Sequence, residues 1–113
     1  MRRVGEPGSL SLAVRTNGSA AVITVTGELD VDTGPLLQDR LNEVLATRPA
    51  QLVVDLGGVS FLGSGGLAVL IRASRVAAAQ ETVLRLRGTD RRAVAIPLQT
   101  TGLDRFFETA PPP

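Results

Sequence analysis

Leu10, Leu12 and Val14 alternate with Ser11, Ala13 and Arg15, the period-two pattern of a half-buried strand. Asn17-Gly18 then gives a hairpin turn signal. Residues 21–25, Ala-Val-Ile-Thr-Val, predict a second strand that runs on through Thr26-Gly27-Glu28-Leu29 and pairs antiparallel with the first. Beyond it the period changes. Leu37, Leu41, Val44 and Leu45 fall on one helical face, with Asp32 or Thr33 as the N-cap, Pro35 in the first turn and Pro49 past the end. Residues 51–56 are apolar apart from Gln51 and Asp55, which predicts a central strand covered on both faces.

A glycine-rich stretch from Gly57 to Gly66 reads as the turn that follows. Ser64 is the expected N-cap of a helix beginning at Gly65, with Leu67, Leu70, Ile71 and Ser74 as its buried stripe, Ala77 and Ala78 lower down, and Arg72 and Arg75 facing water. Residues 82–87 predict a fourth strand. Thr89 or Asp90 caps a last helical segment, which Pro97 interrupts and Gly102-Leu103 ends, and Phe106-Phe107 closes the core. The order is a β-hairpin followed by βαβαβα. It predicts an α/β fold with a mixed four-stranded sheet, parallel where helices cross over, and helices packed mainly on one face.

Composition narrows what such a fold can do. The 113 residues suit one domain, and a 43% hydrophobic share is enough for a core without cross-links. Residues 1–9 read as a flexible N-terminal segment, 10–108 as the domain and 109–113 as a Pro-rich tail. The chain has no Cys and no His, which removes thiolate chemistry, the commonest zinc ligands and any Ser-His-Asp triad. A net charge of +1 gives no case for binding nucleic acid or a membrane directly. Arg85, Arg87, Arg91 and Arg92 are read as a solvated cluster. Arg2-Arg3 is followed by Gly, Glu and Pro rather than an apolar stretch, so no secretory signal is expected and the expected location is the cytoplasm.

The glycine-rich turn is the most informative segment. Gly63-Ser64-Gly65-Gly66-Leu67-Ala68 formally fits the dinucleotide pattern G-x-G-x-x-A, but it follows the third strand and six residues separate it from Leu56. A phosphate-binding P-loop needs a Lys, and the chain has none. A hydrolase nucleophile needs Gly two residues before the Ser, where Leu62 stands, and a His that does not exist. Glu28, Asp30 and Asp32 form an acidic cluster best read as helix capping rather than as a cation site. Two glycines just inside a helix start each cost about 1 kcal/mol relative to Ala. They leave the Ser64 hydroxyl bare and open to a protein partner.

Four blocks taken together resemble the STAS family: Thr26-Gly27-Glu28-Leu29-Asp30, Leu52-Val53-Val54-Asp55-Leu56, Phe61-Leu62-Gly63-Ser64-Gly65-Gly66-Leu67 and Thr101-Gly102-Leu103. Within that family the chain looks like an anti-sigma factor antagonist. The resemblance spans residues 10–108. The family's turn usually reads Asp-Ser-Ser-Gly-Leu or Asp-Ser-Thr-Gly-Leu, and its first Ser falls on Ser64, with Gly-Leu on Gly66-Leu67. Gly63 replaces the Asp and Gly65 replaces the second Ser or Thr.

The resemblance implies a STAS-like fold and no enzymatic activity, no cofactor and no catalytic residue. It implies a partner that is both anti-sigma factor and GHKL-type serine kinase, which the unphosphorylated chain sequesters to free a sigma factor. Phosphorylation at Ser64 then breaks the complex. The implied partner-binding residues are Asp30, Asp32, Thr33, Gly63, Ser64, Gly65, Gly66 and Leu67, and a weak homodimer is compatible with this role. Gly63 and Gly65 keep a second reading open, a STAS interaction module without phosphorylation in a transport complex or a stress-signalling scaffold. A third, a nucleotide-binding protein or enzyme, has no residue here that compels it.

Overall fold

A computed structural model describes residues 9–113. The predicted N-terminal segment 1–9 therefore lies almost wholly outside the described residues. The elements are β1 (Leu10–Asn17), β2 (Ala20–Leu29), α1 (Gly34–Ala46), β3 (Gln51–Leu62), α2 (Ser64–Ala79), β4 (Val83–Arg87), α3 (Arg92–Thr101), a 3₁₀ turn (Leu103–Arg105) and β5 (Glu108–Thr109). The strands form one sheet in the order β1-β2-β3-β4-β5, antiparallel between β1 and β2 and parallel elsewhere.

Register explains the core. Val14 stands opposite Ile23, which stands opposite Val54, which stands opposite Leu86. Side chains alternate across a strand, so all four share one face. Ile23, Val54 and Leu86 on that face are fully buried, together with Leu37 and Leu41 of α1, Leu70 and Ala73 of α2 and Val94 of α3. The opposite face carries Val22, Thr24, Val53 and Asp55, all half-buried. It is only partly covered, so β3 is not sandwiched between helices as its apolar run predicts.

The hairpin turn is Gly18-Ser19, with Gly18 at φ 63° and the strands closing on Asn17 and Ala20. A glycine with positive φ at the first central position is the signature of a type II′ turn. The largest difference from the sequence reading is in β3, which continues through Gly57-Gly58 to Leu62. Both glycines serve close approaches. A Cβ on Gly58 would stand 3.0 Å from the Thr26 hydroxyl oxygen, and a Cβ on Gly88 would stand 2.5 Å from the Gly57 nitrogen. The β2–β3 register shifts alongside, between Thr24 and Thr26 and again between Gly27 and Glu28. These irregularities let β3 reach past the helix layer and carry the following turn to the end of the sheet.

The last helix also differs. α3 is capped by Arg91 in extended conformation, not by Thr89 or Asp90. Pro97 lies inside α3, and the helix runs on past it to Thr101, whose hydroxyl donates to the Pro97 carbonyl at 2.7 Å. The fifth strand, missed because two residues carry no period, straddles position 108. Ala110 N–H extends it by donating to Leu86 O at 2.7 Å, and Arg87 Nε reaches Pro111 O at 3.0 Å.

Candidate functional site

Two turns meet at the end of the sheet where β2 and β3 stop. The first, residues 30–33, is tied by its own side chains. Asp30 Oδ1 accepts the N–H groups of Asp32 at 2.9 Å and Thr33 at 3.0 Å. Thr33 Oγ1 donates to Glu28 O at 2.7 Å and accepts Asp30 N–H at 3.0 Å. The Thr33 N–H holds the Asp30 carboxyl below its ordinary pKa, with partial desolvation working the other way. Thr33 is the N-cap residue of α1, but its hydroxyl points back into the turn and makes no cap bond. The expected side-chain cap is thus replaced by an Asx-type turn around Asp30.

The second turn is built from backbone. Gly63 N–H donates to Leu29 O at 2.9 Å, and the N–H groups of Gly66 and Leu67 both donate to Gly63 O at 3.1 Å. Gly63 is the N-cap of α2, without a side-chain bond, and Ser64 is the first helical residue. The reading of Ser64 as N-cap is corrected by one position. In the first helical turn its hydroxyl points outward, and it makes no hydrogen bond among the described residues. The N–H groups of Ser64 and Gly65 likewise find no acceptor among them, as expected at a helix start.

Gly65 joins the two turns. A Cβ there would stand 2.5 Å from Val31 Cα, 2.6 Å from Val31 N and 2.9 Å from the Asp30 carbonyl carbon. Only glycine allows that approach. Gly66 is closed in by Leu29 and Leu62, whose side-chain carbons would lie 2.6 and 2.9 Å from an added Cβ. Between α1 and α2 the same end carries a groove of about 400 Å³ lined by Val31, Pro35, Gln38, Gly65, Ala68 and Arg72. Arg72 Nε donates across it to Gln38 Oε1 at 2.9 Å.

All the predicted partner-binding residues come together here, but in different roles. Ser64 and Asp32 are exposed, and Asp30, Gly63 and Gly65 are half-buried. Thr33, Gly66 and Leu67 are buried and support the surface from beneath. Sequence reasoning missed three exposed apolar side chains at this end: Val31 (73% exposed), Leu36 (54%) and Phe61 (51%). Val31 could have been found, because an apolar residue between two Asp just before a helix has no core position to fill. Phe61 carried no such signal, since the sequence reads residues 57–66 as a turn, where an exposed side chain has no pattern to depart from. Among the described residues no three His, Cys, Asp or Glu side chains converge to hold a metal ion, and Glu28, Asp30 and Asp32 form no such group. No helix among the described residues is long and apolar enough to cross a membrane.

Comparison with known proteins agrees with this geometry. The family model described as Mlab, STAS domain matches residues 12–108. The chain is 34% identical over 102 residues to the anti-sigma-F factor antagonist RsfB of Mycobacterium tuberculosis, covering 89% of this chain and 81% of that protein. It superposes with a TM-score of 0.83 on an anti-sigma factor antagonist from Mycobacterium paratuberculosis, at 33% identity, over 96% of this chain and 92% of the other. The phosphorylated form of the Bacillus cell fate determinant SpoIIAA shares the fold at a TM-score of 0.68 and 17% identity, over 88% and 91% of the two chains. With the family model covering nearly all of the described residues, the chain belongs to the STAS domain family.

Proposed function

We propose that this chain is an anti-sigma factor antagonist. Its Ser64 end binds an anti-sigma factor that is also a GHKL-type serine kinase, frees a sigma factor, and is switched off when that kinase phosphorylates Ser64. The working unit is residues 10–108, and its place is the cytoplasm. The observation that carries the reading is the Ser64 hydroxyl, exposed and without a partner among the described residues on the first turn of α2, beside a turn that Gly65 holds at close range. Val31, Leu36 and Phe61 supply apolar contact area at the same end.

The switch has a simple physical basis. A phosphate adds about −1.5 to −2 charges at pH 7. At a helix start the open N–H groups and the helix dipole accept that charge within the domain. Across a packed interface the same charge is desolvated and crowded. The fold persists while the complex dissociates, and a difference of a few kcal/mol in partner affinity suffices.

A pull-down with the purified chain identifies the kinase, and titration calorimetry then compares variants. Ser64→Ala is expected to bind as the parent chain does and to gain no mass on incubation with kinase and ATP. Ser64→Asp is expected to bind at least about tenfold more weakly. Equal affinity of the Asp variant would sink the switch. Gly63, where the family carries Asp, favours one second reading, a STAS interaction module without phosphorylation in a transport complex or stress-signalling scaffold. Intact mass separates the two, since a single added phosphate mapped to Ser64 selects the first.

A further inference from the structure

The two edges of the sheet are guarded unequally. β5 is two residues long, and Pro111, Pro112 and Pro113, which have no N–H to donate, follow within two positions. β1 presents eight residues with no proline, no lysine and no bulge against β2. Its free side follows from the ladder. Glu28 N–H donates to Ser9 O at 3.0 Å, so Ser9 and Glu28 are a hydrogen-bonded pair. Antiparallel pairs alternate, so Ser11, Ala13, Arg15 and Asn17 turn their backbone groups toward β2. Leu10, Leu12, Val14 and Thr16 turn theirs outward.

Among the described residues, nothing fully covers the apolar side chains of these outward residues. Leu10, Leu12 and Val14 pack against the core from the helix side but are only partly buried. A groove of about 300 Å³ opens beside them, lined by Val14 and Thr16 of β1 and by Arg40, Glu43, Val44 and Thr47 of the α1 region. The edge thus offers both a backbone ladder and an apolar strip to an incoming strand.

We infer that β1 pairs antiparallel with β1 of a second copy of this chain, about a two-fold axis at Ala13. Among registers that keep side chains on matching faces, this one engages the backbone groups of Leu10, Leu12, Val14 and Thr16 together. It sets Leu12 opposite Val14 of the copy and Leu10 opposite Thr16, continuing the apolar layer across the junction. Arg15 meets Ser11 of the copy, so no like charges stand opposite each other. This self-matching is what selects a second copy over an unrelated strand. Because the paired strands run in opposite directions, the two Ser64 ends point away from each other, and the pairing is independent of the docking proposed above.

Sedimentation equilibrium over a range of concentrations, with a cysteine scan, tests the pairing. The parent chain is expected to self-associate. Leu12→Pro deletes an outward N–H and leaves the ladder to β2 intact, so it should stay folded by circular dichroism and dimerise at least about tenfold more weakly. The chain has no Cys, so Ala13→Cys introduces its sole thiol. At the axis Ala13 faces its copy as a non-hydrogen-bonded pair with Cα atoms about 4.5 Å apart, a separation a disulfide spans. Mild oxidation should therefore give a covalent dimer with Ala13→Cys and far less with Ser11→Cys, whose thiols would lie about four residues apart along the strand. If Leu12→Pro fails to fold, the cysteine pair decides. A strictly monomeric parent chain without an Ala13→Cys cross-link, equal cross-linking at both positions, or undiminished dimerisation of a folded Leu12→Pro chain each overturns the proposal; the first leaves the edge to a strand from another protein.

Discussion

The turns that meet at Gly65 are built by opposite means. Residues 30–33 are held by side chains, with the Asp30 carboxylate and the Thr33 hydroxyl taking up or supplying backbone bonds on both sides. Among the described residues the turn from Gly63 to Gly66 is held by backbone alone, and its one polar side chain is idle. A site that presents a group to a partner must fix that group's position without consuming its bonding capacity. Here the first turn supplies the rigidity and the second supplies the hydroxyl. Gly65 is where the rigidity is passed across.

If that division holds, substitutions at the junction should cost most. Gly65→Ala forces a Cβ against the Val31 backbone, and overpacking of this kind costs about 1–3 kcal/mol. Urea denaturation should place the loss near the upper end, because the atoms in the way are backbone. Thr33→Val keeps the shape but removes a buried hydroxyl that donates to Glu28 O and accepts the Asp30 N–H. A loss of about 2 kcal/mol in the same measurement is expected.

Smaller in effect is the acid response. The Asp30 carboxyl titrates lower in the folded chain than in the unfolded one, where about 3.9 is ordinary. The unfolded chain therefore binds the proton first as pH falls, and stability drops with it. The Asp30 contribution is full above about pH 3.9 and disappears as pH passes down through the folded value. Asp30→Asn should flatten that part of the stability–pH curve, and a curve of unchanged slope would separate the carboxylate from the turn's rigidity. Smallest of all, Ser64→Ala should change stability by no more than about 0.5 kcal/mol. A larger loss would show that the hydroxyl supports the fold and would erase the contrast between the turns.

Where one element's local pattern decides its placement, the sequence was readable. The alternation in β1, the single apolar face of α1 and the position of Ser64 at the start of α2 all follow from periods of two or 3.6 residues and from small turn residues. What escaped was set by neighbours distant in the chain. Gly57-Gly58 reads as a turn by composition, yet it is strand, drawn close to Thr26 and Gly88, which lie far from it in the chain. Val69 and Ala73 are buried in α2 and Ala78 is not, so the buried stripe is rotated from the one read in the sequence, toward the face that meets α1 and the sheet. At the site, Ser64 and Asp30 were legible as polar residues beside glycines. Phe61 was not, since its exposure depends on how β3 overruns the helix layer.

The idle hydroxyl of Ser64 also has a consequence for how this position changes over generations. A side chain that bonds nothing among the described residues can be exchanged with little penalty to their folding. Selection on residue 64 then acts through whatever the surface meets. The neighbouring Gly65 and Thr33 are filtered by the fold itself. Drift at one position records the history of a partnership, and constancy at its neighbours records the history of a structure.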